Sequence, residues 1–400
     1  YYYIAYGYQN LHRKENTKQT NYYMTAYVTL GENAVADGCF PHRTEDYIVL
    51  KSLADDYYLD MVYYYLGCLL YDRRAYGEAI ADYEEAALRY PDFPTVHRNL
   101  ALAYYNVKKQ PQRAYEEMEK AFALDETDAR VYLELDQLKK RLNVPVKERW
   151  SDMEKHFDLV ESRDDLYLEY VTLLNTLGES EKALNLIKAR KFHQWEGGEG
   201  KVAAQYLTAL YQLAKAAAAE GEYVEAKTIL LQAVDEYPQN LGEGKLESAQ
   251  ENNLYYLLGL AQEKLGETEE AFASLTKACH GESEPVGMMY YNDQPPEMIY
   301  YQGLAYRKLG NEEQAVRRFR KLVEYGREHI EENVKIDYFA VSLPDLLIFE
   351  ENLDERNRKH CLFMMSLGLK GLGRSDEAEK CAEELLAMDN AHQGIWVHDL

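Results

Sequence analysis

The 400-residue sequence predicts an all-α solenoid, a right-handed superhelix built from antiparallel helix pairs. The main observation is an alanine that recurs about twelve residues after a small or glycine position and opens a second run of helical periodicity. A second observation is that no alternating strand pattern competes with these runs. We expect Ala271 and Ala315 in particular to be buried where paired helices touch. The recurring alanines are Ala79, Ala114, Ala183, Ala226, Ala271, Ala315 and Ala378.

The fullest unit of this pattern runs from Asp60 to Phe93, about 34 residues. Small residues at Gly67 and Ala79 allow two antiparallel helices to approach closely, and the ring of Tyr83 fills the space beside them. Pro91 stops the second helix, because proline lacks an N–H and clashes with the preceding turn. This unit resembles the tetratricopeptide repeat, so a tetratricopeptide-like α-solenoid is expected.

The register divides the chain into four regions. Repeats occupy residues 57–127, and residues 164–400 hold further repeats with long inserts between them. Residues 128–163 are helical in pattern but lack the small-residue signature, which indicates a degenerate helical pair. Residues 1–56 have no clear register, and we interpret them as an irregular helical cap or the stub of a preceding domain.

Long inserts separate the later repeats. The first two register alanines are 35 residues apart, whereas from Ala183 onwards they are separated by 43 to 45 residues and, from Ala315 to Ala378, by 63. The excess falls after the second helix of one unit and before the first helix of the next. We therefore expect the inserts to leave one edge of the solenoid and to lie near each other. Two inserts share the motif Gly-Glu-Gly-Lys, at 198–201 and 242–245.

From about residue 93 onwards the chain resembles the C-terminal repeat region of large bacterial proteins known by a domain of unknown function, DUF5107. The resemblance is carried by the segments WEGGEGK, NLGEGKL, YYNDQPPEMIYYQGLA and KIDYFAVSLPDLLIF. In that family, the repeats follow a β-rich region similar to the galactose-mutarotase-like super-sandwich of carbohydrate-active enzymes. The resemblance implies a carbohydrate context, although the sequence of this chain contains no β-rich region.

The insert edge is one candidate site for a ligand or partner. An indole offers a flat face to the apolar side of a sugar ring, while carboxylates bind hydroxyls or, in pairs, act as general acid and general base in glycoside hydrolysis. Alternatively, glycine and glutamate in these loops shape tight turns and cap helices, and the edge serves domain docking. We assign no catalytic residue. The candidates are Trp195, Glu196, Glu199, Glu243, Asn292, Asp293 and Glu297.

The groove of the solenoid is a second candidate site. The chain contains 37 tyrosines, and those on the first helix of each pair are expected to line the groove. Tyrosine suits the binding of an extended peptide or a sugar, because it offers contact area at low rotamer cost together with a hydroxyl. Alternatively, these rings only fill space between helices. The groove candidates are Tyr64, Tyr71, Tyr105, Tyr256, Tyr300 and Arg307.

Composition excludes several classes of function. A net charge of −24 argues against nucleic acid and against anionic membrane surfaces as partners. No apolar run approaches the length that spans a bilayer. The five cysteines are scattered, which favours a reducing compartment and hence the cytoplasm, although the native N-terminus and an upstream signal could be missing. No cofactor and no metal are predicted, because neither zinc-type spacing nor a phosphate-binding loop is present.

Two functions remain open from the sequence. The first is a scaffold that holds another protein, or an upstream domain of the same polypeptide. The second is an accessory, site-completing portion of a bacterial carbohydrate-active enzyme of glycoside hydrolase type, with a glycan as ligand and the catalytic domain upstream. The isolated chain is not expected to be an enzyme.

Overall fold

The structure is a computed structural model that describes residues 1–36, 38–57, 59–195, 197–245, 249–287, 293–335 and 348–400. Within these ranges the chain forms 21 α-helices and one short 3₁₀-helix, and none of the described residues lies in a strand. This confirms the predicted fold class. Among the described helices, none combines the length and the apolar character needed to cross a membrane.

Two compact units divide the chain, and the division falls within α8, between Leu138 and Lys139. Unit 1 contains residues 1–138 together with the short segment 348–350. In this unit α1 contacts α2 and α3, α4 pairs with α5, and α6 pairs with α7. Its helices are α1 (Tyr2–Glu15), α2 (Lys18–Glu32), α3 (Thr44–Asp56), α4 (Asp60–Asp72), α5 (Tyr76–Arg89), α6 (Pro94–Asn106), α7 (Pro111–Leu124) and the first part of α8 (Ala129–Arg141).

Unit 2 contains residues 139–347 and 351–400. Five helix pairs form its body: α11 with α12, α13 with α14, α15 with α16, α17 with α18, and α19 with α20. The helices are α9 (Val146–Lys155), α10 (Phe157–Ser162), α11 (Asp164–Thr176), α12 (Ser180–Ala189), α13 (Lys201–Glu220), α14 (Tyr223–Asp235), α15 (Asn252–Lys264), α16 (Thr268–Ala278), α17 (Pro296–Lys308), α18 (Glu312–His329), α19 (Leu353–Gly371), α20 (Ser375–Met388) and α21 (Gln393–Val397).

Each predicted alanine lies where paired helices meet. All seven register alanines are buried, with at most 4% of their surface exposed. Ala271 is 4% exposed and Ala315 is fully buried, which confirms the expectation for both positions. The seven helix pairs that these alanines predict are therefore all present in the described residues.

Glycines on the first helices allow this close approach. A Cβ atom added to Gly67 would lie 2.5 Å from the ring of Tyr83, and one added to Gly303 would lie 2.4 Å from the ring of Phe319. Such distances are well inside van der Waals contact, so each ring fills the space that a side chain would occupy. The absence of a side chain at these glycines therefore fixes how closely the paired helices approach.

The turns between paired helices explain where the helices end. Gly310 adopts φ +83°, a left-handed conformation that glycine reaches without steric cost, and it follows Leu309, the C-cap of α17. Asn311 then caps α18, because its side chain accepts a hydrogen bond from the backbone N–H of Gln314. The helix reversal is thus encoded by two adjacent residues.

Candidate functional site

The first two inserts of unit 2 fold against each other. The backbone N–H of Phe192 donates to the carbonyl of Asn240 (2.9 Å). The side-chain amide of Asn240 donates in turn to the carbonyls of Ile187 (2.8 Å) and Arg190 (2.9 Å). Phe192 is buried. The two inserts therefore form one hydrogen-bonded surface.

The shared Gly-Glu-Gly-Lys motif has a structural role in this surface. Glu243, from the second insert, accepts a hydrogen bond from the backbone N–H of Gly200 (2.7 Å), which precedes α13. A carboxylate at a helix N-terminus is stabilised by the unpaired N–H groups and the helix dipole. Gly198 packs directly against the indole of Trp195, since a Cβ atom added to Gly198 would lie 2.2 Å from the ring. Glu243, from the second insert, thus caps α13, although the residues that precede α13 belong to the first insert.

A pocket of about 350 Å³ opens on this surface. It brings together Trp195, Glu199 and Glu243, three of the predicted insert-edge residues. An indole, two carboxylates and an exposed imidazole line this pocket; Glu243 also caps α13, and Nδ1 of His193 lies 3.0 Å from Asp164. We call this the insert pocket, and its lining residues are His193, Gln194, Trp195, Gly198, Glu199, Val202, Leu241, Gly242 and Glu243.

The remaining insert-edge candidates are not part of the insert pocket. Glu297 lies in the first turn of α17, where burial raises the pKa of its carboxyl to about 7. Asp293 lies close enough to Tyr325 and His360 for its charge to act on both. Glu196 and Asn292 lie outside the described residues.

In unit 1, the predicted groove tyrosines differ in exposure. Tyr64 is buried against Phe93, with ring centroids 4.9 Å apart. Tyr71 and Tyr105 are half-buried, and the ring of Tyr105 lies 5.1 Å from that of Phe349 in an edge-to-face arrangement. The side chain of Tyr105 therefore contacts a residue that is very distant in sequence.

Asn106 is a contact residue that the sequence did not reveal. Its side-chain amide donates to the carbonyl of Ile348 (2.9 Å) and its side-chain oxygen accepts from the backbone N–H of Glu350 (2.9 Å). Between them, Phe349 is fully buried. Lys109 pairs with the carboxylate of Glu350 at 2.7 Å. We call this arrangement the Asn106 clamp.

In unit 2, the groove candidates form a packed aromatic layer. Tyr300 is buried with its ring 5.8 Å from that of Phe319, and half-buried Tyr256 lies 5.7 Å from Tyr301. Arg307 is exposed, pairs with Glu312 and donates to the carbonyl of Gly371 (2.7 Å). Tyr301 was not among the sequence candidates, because nothing in its local pattern distinguishes it from Tyr300.

Comparison with known families identifies the repeats. Models described as tetratricopeptide repeat match residues 64–129, 208–240, 253–279 and 297–325. Tetratricopeptide repeats are therefore found in both units. Because such repeats commonly bind peptides or proteins, they support a role as a protein-interaction scaffold.

Among solved structures, the chain is similar to Naa15/Naa10 bound to HypK-THB, with 12% identity, a TM-score of 0.38, and coverage of 88% of this chain and 58% of that one. It thus spans little more than half of that chain. It is also similar to YrrB, a TPR protein with an unusual peptide-binding site (16% identity, TM-score 0.22, 61% and 97% covered). A third similar structure is a human IFIT1 dimer (12% identity, TM-score 0.29, 96% and 81% covered).

Proposed function

We propose that this chain is a protein-interaction scaffold that binds short peptide segments on the first helices of its repeats. The Asn106 clamp is the observation that carries the proposal. Asn106 is the last residue of α6, which is the first helix of its pair. Its side chain bonds the carbonyl of Ile348 and the N–H of Glu350, and so holds a three-residue segment by its backbone. A carboxamide presents one donor side and one acceptor side, so it holds the carbonyl of Ile348 and the N–H of Glu350 across a bend at residues 348 and 349, whatever the side chains are.

The chemistry of the clamp defines the peptide that it would take. The buried ring of Phe349 against Tyr105 favours an aromatic residue at the central position. The side chains of the ion pair between Lys109 and Glu350 are both largely exposed, so the pair contributes at most about 1 kcal/mol to binding. It favours an acidic residue at this position of the peptide but adds little to the overall affinity. The preferred partner is therefore a short, bent segment with a central aromatic residue followed by an acidic one.

The clamp is tested with a fluorescent peptide that copies residues 348–353. Phe349→Ser in the full chain is expected to free the clamp, so that this variant binds the peptide more tightly than wild type does. Adding Asn106→Ala should weaken peptide binding about tenfold, because two hydrogen bonds of roughly 0.5 to 1.5 kcal/mol each are lost. Fluorescence anisotropy measures both effects.

Asn99→Ala is the matched control, since Asn99 lies on the same helix with its amide against Cys68. It should leave the affinity of the Phe349→Ser variant for the peptide unchanged. Equal binding by the Asn106→Ala and Asn99→Ala variants would show that the clamp does not bind peptides in trans.

A second ligand site is proposed at the insert pocket, because the structure brings Trp195, Glu199 and Glu243 to one cavity. Its occupant is a docked domain or, following the resemblance to DUF5107 proteins, a glycan. An indole face beside carboxylates suits a sugar ring, whereas a cavity of this size also accepts a side chain from a neighbouring domain.

Binding to a glycan panel and to separately expressed β-rich domains of DUF5107-type proteins tests this second site. Trp195→Ala and Glu199→Gln should each lower binding about tenfold, as expected for a lost stacking contact or charged hydrogen bond of about 1.5 kcal/mol. Glu220→Gln, at the opposite end of α13, is the control. Unaltered binding in both pocket variants would show that Trp195 and Glu199 do not bind either ligand.

A further inference from the structure

The segment 389–400, which contains α21, lies on the first helices of unit 2. It contacts polar side chains of α13, α17 and α19, and its Gln393 amide donates to the carbonyl of Thr172 on α11 (3.5 Å); all four are the first helices of their pairs. Gln393 and Gln205 exchange two amide hydrogen bonds, at 3.0 and 3.1 Å. Asn143, in the turn after α8, accepts from the backbone N–H of Asn390 at 2.7 Å. We call this surface the unit 2 seat.

Apolar contacts anchor the middle of the segment. Ile395 and Val397 are 1% and 6% exposed, whereas the intervening Trp396 is 49% exposed. Gly394 lies against Phe363 of α19, and a Cβ added there would be 2.5 Å from the ring. The bound segment therefore places two apolar side chains, two residues apart, against the seat. The residue before the first of them must be glycine, because there is no room for a side chain.

A buried hydrogen-bond chain follows these anchors. The hydroxyls of Tyr211 and Tyr301 lie 2.6 Å apart, and the hydroxyl of Tyr301 lies 2.9 Å from Nδ1 of His398. Burial lowers the pKa of His398 to about 3, so the imidazole is neutral when its Nδ1 shares a hydrogen bond with the hydroxyl of Tyr301. The seat thus has a specific polar contact for a histidine.

Two lysines complete the seat. Lys215 donates to the carbonyl of Val397 (2.9 Å) and pairs with the carboxylate of Asp399 (2.5 Å). Lys370 donates to the carbonyl of His398 (3.2 Å) and to that of Asp399. In a chain with a net charge of −24, two lysines that converge on one acidic position make a localised site for an acidic segment.

The segment does not satisfy every group that it buries. Nδ1 of His392 is buried and has no hydrogen-bond partner among the described residues. An unpaired buried imidazole nitrogen weakens the docked state, because the atom has lost its water. The contact between this segment and the seat is therefore open to competition from a better-matched peptide.

We propose that the unit 2 seat is a peptide-binding site for a short helical segment with the pattern apolar–any–apolar–His–acidic. Residues 389–400 occupy this site within the chain, where they compete with a partner protein that carries the same pattern. The proposal goes beyond the Asn106 clamp, since it concerns another unit, other residues and a peptide of different shape. Either site can fail its test without affecting the other.

Covalent attachment determines how strongly the segment competes. A tethered ligand acts at an effective concentration that reaches the millimolar range for short flexible links. A free peptide of identical sequence therefore binds wild type poorly, and it binds well only when the tethered copy is prevented from docking. This difference is the expected signature of a seat that is occupied from within the chain.

The test uses a fluorescein-labelled, C-terminally amidated peptide with the sequence of residues 389–400. In the full chain, Gly394→Leu places a side chain into Phe363, and Ile395→Asp removes an apolar anchor. Both variants are expected to bind the peptide at least about tenfold more tightly than wild type. Gly244→Ala, where an added Cβ meets nothing within 4 Å, is the control and should bind as wild type does. Circular dichroism verifies that each variant is folded.

Peptide variants test the specificity. Asp399→Asn in the peptide should weaken binding by about tenfold, because the charge-assisted hydrogen bond from Lys215 to the carboxylate is lost, and Ile395→Asp should abolish it. In wild type, excess unlabelled peptide should accelerate amide hydrogen exchange of residues 395–398, whereas a scrambled peptide should not. Variants that bind no better than wild type, a scrambled peptide that binds equally well, or unchanged hydrogen exchange would each overturn the proposal.

Discussion

Replacing Arg98 with methionine is expected to destabilise unit 1 by about 3 to 5 kcal/mol. Glu134 on α8 is completely buried, and Arg98 on α6 holds both of its carboxylate oxygens at 2.6 Å. Arg130 also reaches Glu134, at 3.1 Å, but its side chain is 59% exposed. The Arg98→Met variant therefore leaves a buried carboxylate with only one, mostly solvated, partner. Urea unfolding followed by circular dichroism measures the loss.

The double variant Arg98→Met/Glu134→Leu distinguishes two causes of instability: the loss of the attraction within the ion pair, and the cost of burying a carboxylate without its main partner. It should recover most of the stability, because replacing both members of a buried ion pair with apolar residues is often neutral or stabilising. Lys51→Met breaks an exposed pair with Asp55 and should change stability by less than about 1 kcal/mol. A double variant as unstable as Arg98→Met alone would contradict this account.

The paired-helix fold could be predicted because its determinants are local and repeated. Gly67, Gly259 and Gly303 each meet a large side chain sixteen residues later, namely Tyr83, Leu275 and Phe319. A fixed offset of this kind is visible in one sequence without any knowledge of tertiary contacts. The same reasoning placed the register alanines in the helix interfaces.

The insert pocket could be predicted only in part. The spacing between the repeats predicted that the inserts lie near each other, and Trp195, Glu199 and Glu243 line one pocket. The spacing did not reveal that Glu243 caps α13 across the insert boundary, since a hydrogen bond between two loops leaves no periodic trace. Their role in ligand binding stays a prediction.

The two peptide contacts could not be predicted from the sequence. Asn106 and Ile348 are 242 residues apart, and Gln205 and Gln393 are 188 apart. Single contacts over such separations depend on how successive repeats stack, and no local pattern specifies this stacking. Phe349 is a single aromatic residue outside any helix, so no helical periodicity marks it as buried.

Acidification from about pH 7.5 to about pH 5 is expected to weaken unit 2 through its buried histidines. Burial lowers the pKa of His360 to about 4 and that of His398 to about 3, from an ordinary value of 6.5. Below pH 6.5 the unfolded chain takes up protons that the folded chain does not, so stability falls with pH. Each imidazole costs about 1.4 kcal/mol per pH unit, or about 2 kcal/mol at pH 5.

One group in unit 2 opposes this trend. Burial raises the pKa of Glu297 to about 7, so the folded chain binds its proton first and gains stability as pH falls from 7 towards 4.5. A direct comparison of wild type at two pH values therefore underestimates the histidine effect. A variant that lacks His360 and His398 removes this ambiguity, because the contribution of Glu297 is common to both proteins.

The appropriate variant is His360→Gln/His398→Asn, in which the amides replace the hydrogen bonds to the Val286 carbonyl and to Tyr301. Relative to this variant, wild type should lose about 4 kcal/mol of unfolding free energy between about pH 7.5 and pH 5. Tryptophan emission during urea unfolding reports on unit 2, since Trp150, Trp195 and Trp396 all lie there. A difference that does not change with pH would mean that both imidazoles titrate normally in the folded chain. Because His398 lies in the unit 2 seat, the same loss of stability on acidification should favour release of segment 389–400.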